Sequence, residues 1–269
     1  MATTSINGIT IAYDDNGTGE NVLVLVHGHP FDRSMWRLQV KAFATSDWRV
    51  LVPDLRGYGE SSVIAGKTTF DVFVRDISAL LDQLNIRDVV IGGLSMGGQI
   101  VMEFCRLYPE RVRGIVLAAT FPQAETEEGK RNRTIMADRL LNEGMKPYVE
   151  EALSKMVAPR NLEALPAAAE HVRSMMQAAH PAGAAAALRG RAERPDYERI
   201  LAGLDVPALI VVGAEDAFTT RADAERMRSL LKHSELVWME GVGHMPNLEN
   251  ELEFNAAVRR LLKAVRQRS

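Results

Sequence analysis

Apolar residues along this chain follow two rhythms in turn. Val22-Leu23-Val24-Leu25-Val26 is an unbroken β-branched and leucine run, the pattern of a parallel strand buried on both faces. Residues 49–52, 88–92, 114–119, 207–212 and 235–239 repeat it. Between these runs the period lengthens. Phe73, Ile77, Leu80, Leu81 and Leu84 recur at i, i+4, i+7, i+8 and i+11, one face of a helix. Phe254, Val258, Leu261, Leu262 and Val265 share one face near the end, and residues 97–108 and 222–231 also read as helices. Ahead of them all, residues 3–6 and 9–13 flank Asn7-Gly8, a two-residue hairpin signal. Strands alternating with helices predict an α/β architecture, a doubly wound parallel sheet covered on both faces with right-handed crossovers.

The alternation stops between residues 122 and 196, where no buried strand is evident. Helical stretches rich in Ala, Met, Glu and Arg take over, broken by Gly144, Pro147, Pro159, Pro166, Pro181 and Gly183. This segment is expected to be a helical cap over the carboxyl edge of the sheet. The core domain is then residues 1–121 with 197–269, and the cap is the insertion 122–196. A chain of 269 residues that is 46% hydrophobic suits one large domain with such an insertion. Its net charge of −3 leaves no basic footprint for nucleic acid. A single cysteine, Cys105, excludes an intrachain disulfide and fits a reducing compartment. The first residues read as no signal peptide, and no apolar run approaches spanning length. The expectation is a cytoplasmic protein with no membrane association; the oligomeric state is not legible.

The strand at 88–92 runs into Gly93-Leu94-Ser95-Met96-Gly97, and a helix follows. A G-x-S-x-G between strand and helix is a nucleophile elbow, so tight that the serine backbone is strained and its flanking positions must be glycine. The elbow lifts Ser95 Oγ above the sheet edge. It also aims the Met96 N–H, at a helix N-terminus, where it favours an anion. A serine hydroxyl needs an adjacent base, and the chain has six histidines. His171 and His180 lie in the insertion, His233 ends a surface helix, and His27 reads as loop positioning. His244, in Gly241-Val242-Gly243-His244-Met245-Pro246, falls beyond the last strand at the carboxyl edge where Ser95 emerges. Asp216, just after the strand at 209–212, is the orienting acid, with Glu215 as its rival. The order Ser95, Asp216, His244 is that of this architecture. A second oxyanion N–H falls to His29, because Pro30 has none; the His29 side chain is expected to line the pocket. Pro30, Phe31, Phe121, Met136, Met145 and Met176 are the expected substrate-pocket residues. No phosphate loop or dinucleotide glycine pattern is present. His27, His29 and Asp32 lack the partners of a metal site, so no metal or other cofactor is expected.

Taken together, His27-Gly28-x-Pro30, Asp54-x-Arg56-Gly57-x-Gly59-x-Ser61, Gly93-x-Ser95-x-Gly97, Gly213-x-x-Asp216 and Gly243-His244 resemble the α/β-hydrolase family over nearly the whole chain. Leu94-Ser95-Met96-Gly97-Gly98 and Tyr108-Pro109-Glu110-Arg111-Val112 are similar to its carboxylesterase, 3-oxoadipate enol-lactonase and cofactor-free haloperoxidase (perhydrolase) group. The resemblance implies an eight-stranded, mostly parallel sheet and a Ser-His-Asp acyl-enzyme mechanism on a small ester or lactone, without cofactor. Serine at the elbow, where haloalkane dehalogenases and epoxide hydrolases carry aspartate, speaks against those reactions. The same residues leave open perhydrolase activity aided by Pro30, carbon–carbon or amide hydrolysis, and a ligand receptor that retains the triad.

Overall fold

A computed structural model describes residues 1–268. Its eight strands are Ala2–Ile6 (β1), Ile9–Asn16 (β2), Asn21–Val26 (β3), Trp48–Pro53 (β4), Val89–Leu94 (β5), Val112–Ala118 (β6), Ala208–Gly213 (β7) and Ser234–Met239 (β8). They form one sheet in the order β1-β2-β4-β3-β5-β6-β7-β8. Only the β1–β2 and β2–β4 pairs are antiparallel, the first closed by the Asn7-Gly8 turn with Ile6 opposite Ile9. From β4 to β8 all neighbours are parallel; Val24 sits between Leu51 and Ile91.

The helices between β1 and β6 are Arg37–Phe43 (α1), Phe70–Gln83 (α2) and Met96–Leu107 (α3). Because side chains alternate along a strand, β3 feeds two cores. Val22, Val24 and Val26 pack with α2 and α3 on one face, while Leu23 and Leu25 join a second core on the other. This explains the unbroken apolar run: both faces are dry. The antiparallel edge faces less protein, and β1 accordingly alternates half-buried and exposed positions up to the buried Ile6.

Between β6 and β7 the chain makes Glu127–Glu143 (α4), Met145–Met156 (α5), Asn161–Ala164 (α6), Pro166–Ala178 (α7), Pro181–Arg191 (α8) and Glu198–Gly203 (α9). Helices Arg221–Leu230 (α10), Pro246–Glu249 (α11) and Glu251–Gln267 (α12) complete the chain. The inserted helices pair α4 with α8 and α5 with α7. The first pair packs into the core of α2 and α3, the second into the opposite core. None of the helices among the described residues is long and apolar enough to cross a membrane.

Helix α8 is held on the core by backbone contact. The Thr68 N–H donates to Ala186 O at 3.0 Å, and a Cβ at Gly190 would lie 1.7 Å from Thr68 O. No side chain fits there without moving the helix. Gly190→Ala is therefore expected to destabilise the protein by about 2–3 kcal/mol or more, read as a lower urea midpoint. A shift under about 0.5 kcal/mol would show that α8 has freedom to retreat.

Candidate active site

Ser95 links β5 to α3 with φ 56° and ψ −116°, a conformation that costs about 1–3 kcal/mol and persists only when its surroundings enforce it. The enforcement is visible. The Ser95 N–H donates to Ala118 O at 2.9 Å, and Thr120 Oγ1 donates to Ser95 O at 2.8 Å. A Cβ at Gly93 would lie 2.3 Å from the Gly97 carbonyl, and one at Gly97 would lie 2.2 Å from Val26 O. The two glycines let strand, turn and helix pass against β3. Met96 opens α3, where a first-turn N–H has no acceptor within the helix. His29 lies three residues past the end of β3, and among the described residues its N–H has no acceptor either. The His29–Pro30 peptide is cis.

His244 and Asp216 arrive from different loops at the same sheet edge. His244 Nδ1 lies 2.9 Å from both Asp216 carboxylate oxygens, and both side chains are almost wholly buried. A carboxylate only accepts, so Nδ1 carries the hydrogen and Nε2 is left as the basic nitrogen. Asp216 Oδ1 also accepts from the Phe218 N–H at 2.8 Å, and the Phe218 ring stands edge-on to the imidazole at 4.7 Å. Glu215 turns elsewhere, to Arg160 at 3.4 Å. The histidine loop is fixed by a residue the sequence did not single out, the buried Glu249. Its carboxylate accepts from the N–H groups of Gly243 and Met245, either side of His244, each at 3.1 Å. It also accepts from Ala158 N at 2.9 Å and Asn161 Nδ2 at 2.8 Å, in the insertion.

Ser95, His244 and His29 line a cavity of about 530 Å³. Of the expected pocket residues, Phe121 and Met136 line it. Met145 and Met176 do not: the first packs into the core beside Leu140, and the second is fully buried with Val149 and Val172. Helical spacing does not say which apolar face meets a cavity when an insertion buries several. Pro30 is buried away from the cavity wall. Phe31 packs into the core of Leu23 and Leu25 and borders a separate depression with Arg33 and Glu60. Tyr148, Met156, Leu188, Arg133, Arg191 and Phe218 line the cavity without having been anticipated. Only Phe218 carried a signal, its place two residues after Asp216.

The remaining histidines lie outside this wall. His27 Nε2 accepts from the Leu55 N–H at 3.0 Å, a loop-fixing role, and His171 meets Ser34. Among the described residues no group of three or more His, Cys, Asp or Glu side chains could hold a metal ion. Burial lowers the His27 pKa below its usual value, and burial followed by the Arg191 charge lowers that of His29 further. The His29 imidazole is therefore neutral. It is bonded through Nδ1 to Tyr58 OH at 2.8 Å, and its buried Nε2 is unpartnered.

Chain comparisons agree with this fold. Residues 21–251 match the model of the α/β-hydrolase fold family. A thermophilic esterase from Thermogutta terrifontis, solved with malate bound, superposes with a TM-score of 0.93 at 37% identity, covering 98% of this chain and 97% of that one. The 3-oxoadipate enol-lactonase 2 of Acinetobacter baylyi is 30% identical, over 86% of this chain and 84% of its own. A 2-hydroxy-6-oxononadienedioate/2-hydroxy-6-oxononatrienedioate hydrolase of Burkholderia vietnamiensis is 27% identical, over 95% and 91%.

Two outcomes follow from the site's construction. Unfolded histidines take up protons below about pH 6.5 while His27 and His29 resist them, so the unfolded state binds more protons and stability falls as pH drops. Each should contribute up to about 1.4 kcal/mol per pH unit below about 6.5, and His29→Gln should flatten urea-midpoint profiles measured from pH 7 to 5. Glu249→Gln places an amide donor against backbone donors. It should cost about 2–3 kcal/mol and speed hydrogen exchange at the Gly243 and Met245 amides; unchanged exchange would separate Glu249 from the loop. With strand order, elbow and loop placement all in agreement with the family match, this chain belongs to the α/β-hydrolase fold family.

Proposed function

We propose that this protein hydrolyses a small carboxylic ester or lactone by two-step acyl transfer. The observation that carries the reading is the meeting in one cavity of the strained Ser95 and of His244, whose Nδ1 is held by Asp216. His244 Nε2 takes the Ser95 proton as Oγ attacks the carbonyl carbon, and the N–H groups of His29 and Met96 stabilise the resulting oxyanion. Collapse breaks the ester C–O bond, and the imidazolium returns the proton to the leaving alkoxide. Water, deprotonated by the same imidazole, then releases the acid from Ser95. Asp216 keeps the productive tautomer and offsets the imidazolium charge. The esterase and enol-lactonase relatives support this chemistry.

Residues 122–196 act in this reading as a cap that sets acyl preference. Beside Arg133, Lys155 and Arg191, the insertion supplies Met136, Tyr148, Met156 and Leu188 to the wall, an adaptable and mainly apolar part of the lining.

Ser95→Ala should abolish turnover of p-nitrophenyl acetate while the fold survives, and Asp216→Asn should lower kcat by about 10⁴. Substantial activity in purified Ser95→Ala would overturn the mechanism. Met136→Ala should reorder preference among acyl chain lengths, whereas Met145→Ala should lower stability and leave the ranking alone.

A further inference from the structure

The wall of the Ser95 cavity is electrostatically one-sided. Arg133, Lys155 and Arg191 line it, and no carboxylate does. Arg133 and Arg194 share a single acid, Glu125, which they hold well below the usual carboxylate range at about 2. Arg191 has no acid within salt-bridge distance among the described residues. Its Nε donates to Gln99 Oε1 at 2.8 Å, which fixes the plane of the guanidinium. Nη1 and Nη2 have no acceptor among the described residues and are not sealed off. Burial, then the like charges of Arg133 and Arg194, press against the charged form of Arg191. An arginine does not surrender its proton in a protein, so this cation calls for an anion from outside the chain. The unpartnered Nε2 of His29 lies on the same wall. In the tautomer whose Nδ1 accepts from the Tyr58 hydroxyl, Nε2 holds the hydrogen and is a further donor.

We infer that Arg191, oriented by Gln99 and aided by His29, is a carboxylate subsite, and that the substrate is an ester carrying its own free carboxylate, such as the half-ester of a short dicarboxylic acid. A planar fork with two free amino groups matches a carboxylate in bidentate fashion. Gln99 lies four residues beyond Ser95 on α3, about 6 Å along the axis, so the anion and the scissile carbonyl belong to one small molecule. This deepens the ester-hydrolase reading and rests on it for the reaction, while the anion site itself stands without turnover.

The experiment has two independent readouts. Binding of succinate and of glutarate to the wild-type protein, Arg191→Met and Arg191→Lys is measured by calorimetry at two salt concentrations. The ratio of kcat/KM for monomethyl succinate to that for methyl butyrate is measured for the same three proteins. The wild-type protein should bind at least one dicarboxylate, more weakly in high salt, and should prefer the half-ester. Arg191→Met should weaken binding and lower the ratio by about 10²-fold. Arg191→Lys, which keeps the charge and loses the fork, should fall between, and alone decides the matter should the methionine variant not fold. Equal dicarboxylate affinity across the three proteins, no wild-type binding of either, or a wild-type preference for methyl butyrate would overturn the inference. Dicarboxylate binding lost in Arg191→Met, with neither ester turned over, would instead uphold the subsite and overturn the hydrolase reading.

Discussion

The near-contact between α3 and β3 is the constraint on which the site depends. A helix that starts one residue after a strand ends must pass its first turn against the neighbouring strand, and here Gly97 comes within a missing Cβ of Val26 O. The chain can do this only with Ser95 in a strained conformation. That conformation places one hydroxyl, one helix N-terminus and the end of β3 at a common point. Asp216 and His244 are brought toward that point from loops at the same edge of the sheet.

Those loops are held by polar contacts more than by apolar packing. Asp216 fixes the imidazole, and Glu249 fixes the backbone on both sides of it while reaching Ala158 and Asn161 in the insertion. One buried carboxylate thus joins the histidine loop to the helices above the sheet. Movement of those helices and positioning of His244 are mechanically linked, because four donors share its two oxygens.

The insertion also decides the character of the cavity. Helix α8 is drawn onto the core until Gly190 touches Thr68, and this close seat delivers Arg191 to the wall beside α3. The consequence is a partly buried cation, without an acid partner among the described residues, on a wall it shares with Arg133 and Lys155. Its solvation by the protein is incomplete, and a small anion would complete it.

The core was legible from residues alone because its physics is local. Strands buried on both faces must be continuously apolar, helices on the sheet must repeat at 3.6, and an elbow this tight demands glycine at 93 and 97, so alternation alone predicts the sheet and the motif marks Ser95 as the candidate nucleophile with Asp216 and His244 as its candidate partners. The choice of Asp216 over Glu215 was only a preference in sequence; the fold turns Glu215 toward Arg160 and Asp216 toward His244. The pocket was not legible. Phe121 and Met136 reach it, while Met145 and Met176, of the same composition and helical context, are packed in the cores, and Tyr148 and Arg191 appear on the wall instead. Periodicity reports that a helix has an apolar face, but which face meets a cavity is set by how helices from distant parts of the chain pack together. That packing, and with it the unpaired charge of Arg191, belongs to the tertiary structure alone.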